Sequence, residues 1–284
     1  VYKRQALAEA LRAGENLLKA GGSSLDAVTA AVTLLEDSPH FNAGRGAVFN
    51  ADGKNELDAS IMDGASLNAG AVAGVTNVRN PIVLARKVMT DSKHVMLAGD
   101  GAEVFARENG IAFEPDEYFF TEHRWQQLQK AQASEDPETT FLSETPVQWF
   151  STVGAVALDM SGGLAAATST GGTFGKLEGR IGDTPLIGPG TWADDNIAVS
   201  CTGIGEHIIR AGGASAIAFR FKSGVSLEDA VQEMLDEVAR LGGDAGIIAV
   251  TKDGQITMPY NSEGMKRASA SSTSDLVIAT FGKE

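Results

Sequence analysis

Residues 152–168 read Thr152-Val153-Gly154-Ala155-Val156-Ala157-Leu158-Asp159-Met160, then Ser161-Gly162-Gly163, then Leu164-Ala165-Ala166-Ala167-Thr168. Both arms alternate with the period of two that a strand imposes, and Ser-Gly-Gly is turn chemistry, so a β-hairpin is predicted to begin at Thr152. Just upstream, residues 131–146 are rich in Ser, Glu, Asp, Thr and Pro and poor in aliphatics. Such a segment buries too little apolar surface to offset the entropy of ordering and reads as a linker, with residues 131–151 the flexible end of the first half. The chain thus divides into residues 1–151 and 152–284, expected to form one structural domain together.

Toward the N-terminus, Leu7, Leu11, Gly14 and Leu18 fall at helical spacing before Gly21-Gly22, a left-handed stop. Ser23-x-x-Asp26 is a capping box, and Leu25, Val28, Val32 and Leu35 repeat on one face until Pro39. Two packed helices are expected. Residues 40–50 are Gly-rich and then strand-like, turning at Asp52-Gly53 into residues 56–64, which predicts a loop followed by a hairpin. Residues 65–75 suit a buried strand, and residues 81–89 and 101–109 read as helices.

Toward the C-terminus, residues 196–202 and 245–260 give further strands, the latter folded at Asp253-Gly254, a type I′ signal. Between them, Ser226-x-x-Asp229 caps a helix carrying Leu227, Val231, Leu235 and Val238, stopped by Gly242-Gly243. Both halves mix strands and amphipathic helices, so the class is α+β.

Of 284 residues, 43% are hydrophobic and 21% charged, proportions that allow a sizeable globular core. The net charge of −14, with no cluster of five or more Lys and Arg, disfavours nucleic acid and anionic membrane and favours a small-molecule or peptide partner. The single cysteine, Cys201, cannot form an intrachain disulfide, and no apolar run reaches membrane length, so a cytoplasmic location is expected. The opening Val1-Tyr2-Lys3-Arg4 leads into the helical pattern rather than a signal peptide.

His40, His94, His123 and His207 lack metal-ligand spacing, and no G-x-S-x-G elbow, Walker A loop or strand-placed G-x-G-x-x-G occurs. The polar groups that stand out are Thr152, Thr168-Ser169-Thr170-Gly171-Gly172, Gly179-Arg180-Ile181-Gly182-Asp183 and Thr202-Gly203-Ile204-Gly205. A threonine hydroxyl needs a base, and a cut before Thr152 would place that residue's own α-amine, with a pKa near about 8, beside it. Arg180 offers a fork for a carboxylate and Asp183 a partner for an ammonium, together an α-amino-acid head group. Thr202 and the Gly203 N–H would donate to an oxyanion. Taken singly, an Arg and an Asp three apart more often make a surface pair, and a Thr-Gly step more often ends a strand.

In combination these residues resemble the plant-type asparaginase and isoaspartyl peptidase family of N-terminal nucleophile hydrolases. The resemblance covers nearly the whole chain: Phe41-Asn42-Ala43-Gly44-x-Gly46, Glu56-Leu57-Asp58-Ala59-Ser60-Ile61-Met62-Asp63-Gly64, the run from Thr152, Thr168 to Gly172, Gly179-Arg180-x-Gly182-Asp183-x-Pro185 and Cys201-Thr202-Gly203-x-Gly205-Glu206. It implies a four-layer αββα sandwich, self-cleavage between Ser151 and Thr152, and a dimer of αβ heterodimers. It also implies Thr152 as nucleophile, Thr170 tuning it, Asn42 approaching it, Arg180 and Asp183 on the substrate's α-carboxylate and α-ammonium with Gly205 alongside, and Thr202 with Gly203 as the oxyanion hole.

No catalytic cofactor is implied, but a structural sodium is, held by the backbone carbonyls of Leu35, Glu36, Ser38, Phe41, Ala43 and Arg45. Two features depart from the family pattern: the family opens with a strand ending in His-Gly-Gly-Ala-Gly, whereas Val1 onward reads as the helix after it, and Ser151 stands where Gly or Asp is usual. The implied activity is hydrolysis of asparagine and β-aspartyl dipeptides. Glycosylasparaginase or taspase-like specificity is the alternative within the superfamily, and an uncleaved amino-acid-binding scaffold is the alternative outside it.

Overall fold

The computed structural model describes residues 1–133, 152–274 and 276–282. Helix α1 (Tyr2–Lys19) and α2 (Ser24–Asp37) match the predicted pair, and the Ser23 hydroxyl caps α2 by accepting from the Asp26 N–H at 3.1 Å. The expected strand over residues 47–50 does not form. The Asn50 side chain competes with any ladder there: its Oδ1 accepts the Asp52 and Lys54 N–H groups at 3.0 and 2.9 Å, and its Nδ2 donates to Glu56 at 3.0 Å. Consequently β1 (Leu57–Asp63) finds its partners elsewhere.

Then come β2 (Ala69–Val75), α3 (Pro81–Asp91), β3 (Met96–Ala98), α4 (Gly99–Glu108), α5 (Asp116–Phe119) and α6 (Glu122–Gln132). Helix α6 takes in Ala131 and Gln132 from the expected linker, because Ala131 packs in a buried cluster with Leu128, Val48, Phe49 and Phe174. The remainder of that linker, with Ser151, lies outside the described residues.

The predicted hairpin appears as β4 (Val153–Leu158) and β5 (Leu164–Thr170), paired antiparallel with Val153 opposite Ser169. Its turn is held by Asp159, whose Oδ1 accepts the Ser161 and Gly163 N–H groups at 3.0 and 2.8 Å. Next are β6 (Thr191–Ala193), β7 (Ile197–Gly203), α7 (Gly205–Ala211), α8 (Gly213–Lys222), α9 (Leu227–Arg240), β8 (Ala245–Thr251), β9 (Ile256–Thr257), β10 (Arg267–Ser269) and β11 (Val277–Ala279). The β8–β9 turn is not type I′. Only Gly254 takes positive φ (+84°) while its N–H donates to Thr251 at 3.0 Å, which is a type I turn closed by a left-handed glycine.

Two sheets result, ordered β3-β2-β1-β5-β4 and β6-β7-β8-β9, with β10 and β11 a separate pair. The first joins both halves of the chain, since β1 lies between β2 and β5. Strand alternation sorts the side chains into three apolar interfaces. Leu57, Ala59, Ile61, Val153, Ala165 and Ala167 meet Val28, Val32 and Leu35 of α2 and Ile82, Ala85 and Val88 of α3. On the second sheet, Ile197, Val199, Cys201, Ile247 and Ala249 meet Ile208, Ile217, Val231 and Met234 of α7–α9. Met62, Leu164, Ala166, Ala198 and Val250 fill the space between the sheets. The layers therefore run helix, sheet, sheet, helix, as the sequence resemblance implies.

Candidate active site

Thr152 stands at the head of β4, the edge strand, and the register places it beside Thr170 at the end of β5. Their hydroxyl oxygens are 3.0 Å apart. Alternation turns Thr152, with Gly154 and Val156, toward the second sheet, whereas Val153 and Ala157 face α2. Thr170 Oγ1 also accepts the Gly172 N–H at 3.1 Å, so its remaining proton and lone pair are available to Thr152. Asn42 braces this corner: its Nδ2 donates to the Gly172 carbonyl at 2.6 Å and its Oδ1 accepts the Val48 N–H at 2.8 Å.

From the other sheet, Thr202 approaches at the end of β7, and one cleft is lined by Thr152, Gly154, Ser200 and Thr202 together. The Thr202 hydroxyl is buried and has no hydrogen-bond partner among the described residues. A buried hydroxyl left unpaired is costly in a resting protein and useful where charge develops. Next to it Gly203 sits at φ +147°, and a Cβ there would stand 2.3 Å from the Asp244 carbonyl. Only glycine fits, which leaves its backbone approachable.

Arg180 and Asp183 do not pair with each other. The Arg180 fork is closed on the Glu206 carboxylate at 2.8 and 2.7 Å, and that guanidinium holds Glu206 below the usual carboxylate range. Asp183 is 5% exposed, with Oδ2 unpartnered, and burial pushes its carboxyl up to about 7. Gly205 makes the packing possible, because a Cβ on it would lie 2.8 Å from the Asp183 nitrogen and 3.0 Å from Arg180 Nη2. The surface-pair reading is thus set aside: one carboxylate is buried and unsatisfied, and the cation is matched by a half-exposed glutamate.

Further polar groups lie behind these residues: the Lys176 and Asp58 side chains were given no role from the sequence, and Glu36 was expected only as a backbone-carbonyl donor. Lys176 is 5% exposed, donates to the Glu56 carbonyl at 3.0 Å and passes within 3.0 Å of where a Cβ on Gly172 would be. Asp58 is fully buried, and burial raises its carboxyl against the opposing pull of Lys176. Glu36 bridges α2 to β5, accepting from Ser169 Oγ at 2.6 Å and from the Ile82 N–H at 2.9 Å, and burial pushes it up to about 8. Asp58 lies within the quoted Glu-Leu-Asp-Ala-Ser run, so its motif was visible even though its burial was not. Lys176 sits four residues after Gly172 with no pattern to flag it.

Around the loop after α2, the Glu36 and Phe41 carbonyl oxygens come within 2.5 and 2.1 Å of where Cβ atoms on Gly44 and Gly46 would be. The Leu35 and Ala43 carbonyls each accept one N–H, from Ser38 and Gly46. No cluster of His, Cys, Asp and Glu able to hold a metal occurs among the described residues. No helix among them is long and apolar enough to cross a membrane.

Comparison with known proteins places the chain in one family. An isoaspartyl peptidase of Salmonella typhimurium is 49% identical over 271 residues, covering 93% of this chain and 86% of that protein. The isoaspartyl peptidase of Escherichia coli is 48% identical over 270 residues, covering 93% and 84%. A bovine isoaspartyl peptidase/L-asparaginase is 45% identical over 269 residues, covering 94% and 86%. A family described as asparaginase matches residues 1–279, and the chain belongs to that asparaginase family.

Proposed function

We propose that the chain cleaves itself before Thr152 and then hydrolyses the side-chain amide of L-asparagine and the isopeptide bond of β-aspartyl dipeptides. The observation that carries this reading is that Thr152, in hydroxyl contact with Thr170, lines one cleft with the unpartnered Thr202 hydroxyl. Once Thr152 is an N-terminus, its neutral α-amine takes the hydroxyl proton as Oγ1 attacks the amide carbon. The oxyanion accepts from Thr202 Oγ1 and the Gly203 N–H. Proton return from the amine expels ammonia or an amino acid, and water then hydrolyses the threonyl ester.

The substrate's α-ammonium meets Asp183 Oδ2, satisfying the buried oxygen that lacks a partner. Its α-carboxylate takes the Arg180 fork in exchange for Glu206, which is 54% exposed and readily rehydrated. Thr170 orients the nucleophile and Asn42 holds the turn that presents Thr170. A structural sodium would suit the loop of Leu35, Glu36, Ser38, Phe41, Ala43 and Arg45, because backbone carbonyls are hard neutral donors. That ion would stiffen the loop beside Asn42 and take no part in the chemistry. A dimer of αβ heterodimers, from residues 1–151 and 152–284, and a cytoplasmic location complete the reading, the latter supported by the single buried thiol of Cys201.

The test is the mass of the purified protein under denaturing conditions, with release of ammonia from asparagine. Two fragments, the second beginning at Thr152, are expected, whereas Thr152→Ala stays intact and loses at least about a thousandfold in turnover. An intact wild-type chain that turns over neither substrate would overturn the proposal.

A further inference from the structure

Thr170 can orient Thr152 only if its own hydroxyl is held, and the turn that follows β5 is what holds it. The Gly172 N–H donates to Thr170 Oγ1 at 3.1 Å, which leaves the proton and the other lone pair of that oxygen for the Thr152 hydroxyl 3.0 Å away. Gly172 stands at φ +81°, and a glycine in that conformation has many others within reach, so the turn needs support from outside. Asn42 supplies one brace through its bond to the Gly172 carbonyl at 2.6 Å.

The second brace is Lys176. Its side chain runs against the turn: a Cβ on Gly172 would stand 2.8 Å from Lys176 Cδ and 3.0 Å from Nζ. Lys176 is 5% exposed, and its ammonium donates at 3.0 Å to the carbonyl of Glu56, the residue before β1. On the main chain, the Lys176 carbonyl accepts the Ala51 N–H at 2.9 Å and the neighbouring Gly175 N–H donates to the Phe49 carbonyl at 3.0 Å, so the lysine is anchored at both ends. An apolar side chain of the same length would fill this space with no ammonium to desolvate, so filling alone does not account for a lysine. The charged donor adds a fixed end point on β1, and with it a fixed surface for Gly172. Asp58, two residues past Glu56 and opposite Thr170 across the β1–β5 ladder, is fully buried, with Oδ2 unpartnered among the described residues. Its charge opposes the burial that pushes the Lys176 ammonium down.

We propose that Lys176 is a positioning residue for the reaction: it fixes the Gly171–Gly172 turn against β1 and so sets the Thr170 hydroxyl on Thr152, with Asp58 as its buried counter-charge. This rests on the hydrolase reading above and adds to it a residue that touches no reacting atom. The head-group side keeps an anchor of its own, because Glu56 Oε1 accepts the Gly179 N–H at 2.9 Å independently of the ammonium. Lys176 therefore acts on the bond-making step rather than on binding.

The experiment measures kcat and KM for L-asparagine, per processed chain, in the wild type, Lys176→Met, Thr170→Val and the double variant, with the urea midpoint of each. Lys176→Met is expected to lower kcat about tenfold with KM changed by less than about twofold, since the nucleophile loses alignment while the head-group residues keep theirs. Thr170→Val keeps Thr152 and the oxyanion donors and so retains a measurable rate. In that background Lys176→Met should cost no further kcat, because the hydroxyl through which it acts is gone. The urea midpoint should fall in both backgrounds, which separates lost stability from lost alignment. Should Lys176→Met fail to fold with Asp58 left unpaired, Lys176→Met combined with Asp58→Asn, which leaves neither charge of the pair buried, takes its place in the same comparison. An unchanged kcat in Lys176→Met, or losses that multiply in the double variant, overturns the assignment, while absence of asparagine turnover in the wild type removes the hydrolase reading itself.

Discussion

The helix–sheet interfaces and the sheet–sheet interface are built from different side chains. Where the second sheet meets α7–α9, branched and long aliphatics interlock: Ile197, Val199 and Ile247 against Ile217, Val231 and Met234. Where the two sheets meet, Met62, Leu164 and Val250 give way toward Thr152 to small and hydroxyl-bearing residues. Thr168 Oγ1 lies 2.5 Å from Thr191 Oγ1 and 2.7 Å from Ser200 Oγ, and Ser60 Oγ donates to Thr191 at 2.7 Å. Large apolar side chains stabilise by the area they remove from water, whereas this seam stabilises through mutually satisfied hydrogen bonds that specify one alignment of the sheets. The nucleophile site is the open end of that seam. One face of β5 carries Thr168 and then Thr170, the facing side of β7 carries Ser200 and then Thr202, and β4 enters with Thr152 two residues before Gly154.

Changing one interface at a time breaks or sharpens this contrast. The largest effect is expected for Met234→Ala, at a fully buried side chain in the outer cluster: a loss of about 2–5 kcal/mol in unfolding free energy, read by urea denaturation. Its kcat should stay close to that of the wild type, because Met234 is not among the residues that line the cleft at Thr152. Gly154→Ala strikes the inner seam, since a Cβ there would stand 2.2 Å from Ser200 Oγ. It should lose less stability, about 1–3 kcal/mol, but at least about tenfold in kcat, because the strand that carries Thr152 must shift. If Met234→Ala lost as much kcat as Gly154→Ala, the division between supporting and reacting interfaces would fail.

That division also explains what the sequence made legible. The helices of the outer layers announce themselves by periodicity and capping, as in Ser23 with Asp26 and Ser226 with Asp229. The hairpin at Thr152 was readable because alternation and turn chemistry agree. Residues 47–50 were misread because their pattern is strand-like while the Asn50 and Asn42 side chains, through bonds no periodicity encodes, take the backbone groups a ladder needs. At Asp253-Gly254 the pair signals a turn but does not fix which of two hairpin geometries the flanking strands select. Of the site, the residue types of Thr152, Arg180, Asp183 and Thr202 were visible as motifs. Their states were not: the burial of Asp183 and the Glu206 fork on Arg180 arise from contacts between segments distant along the chain.

The smallest of these effects concerns the polar end of the seam and needs no mutation. Burial raises the Asp183 carboxyl to about 7, so near neutrality it is only partly ionised, and only the ionised form can hold an ammonium. Competitive inhibition by L-aspartate isolates this step from the Thr152 amine, whose protonation affects turnover rather than head-group binding. The inhibition constant should be flat above about pH 7 and rise about tenfold per pH unit below it, and Asp183→Asn should abolish that slope while weakening binding throughout. The stability effect has a definite sign. A carboxyl raised in the fold is favoured when neutral, so its contribution is full below the unfolded value of 3.8 and is lost as pH rises through about 7. Asp183→Asn should therefore flatten the pH dependence of the urea midpoint between about 4 and 7. An aspartate inhibition constant that ignores pH across this range would mean that Asp183 is already ionised in the free protein, and the buried end of the seam would then be electrostatically no different from its exposed surroundings.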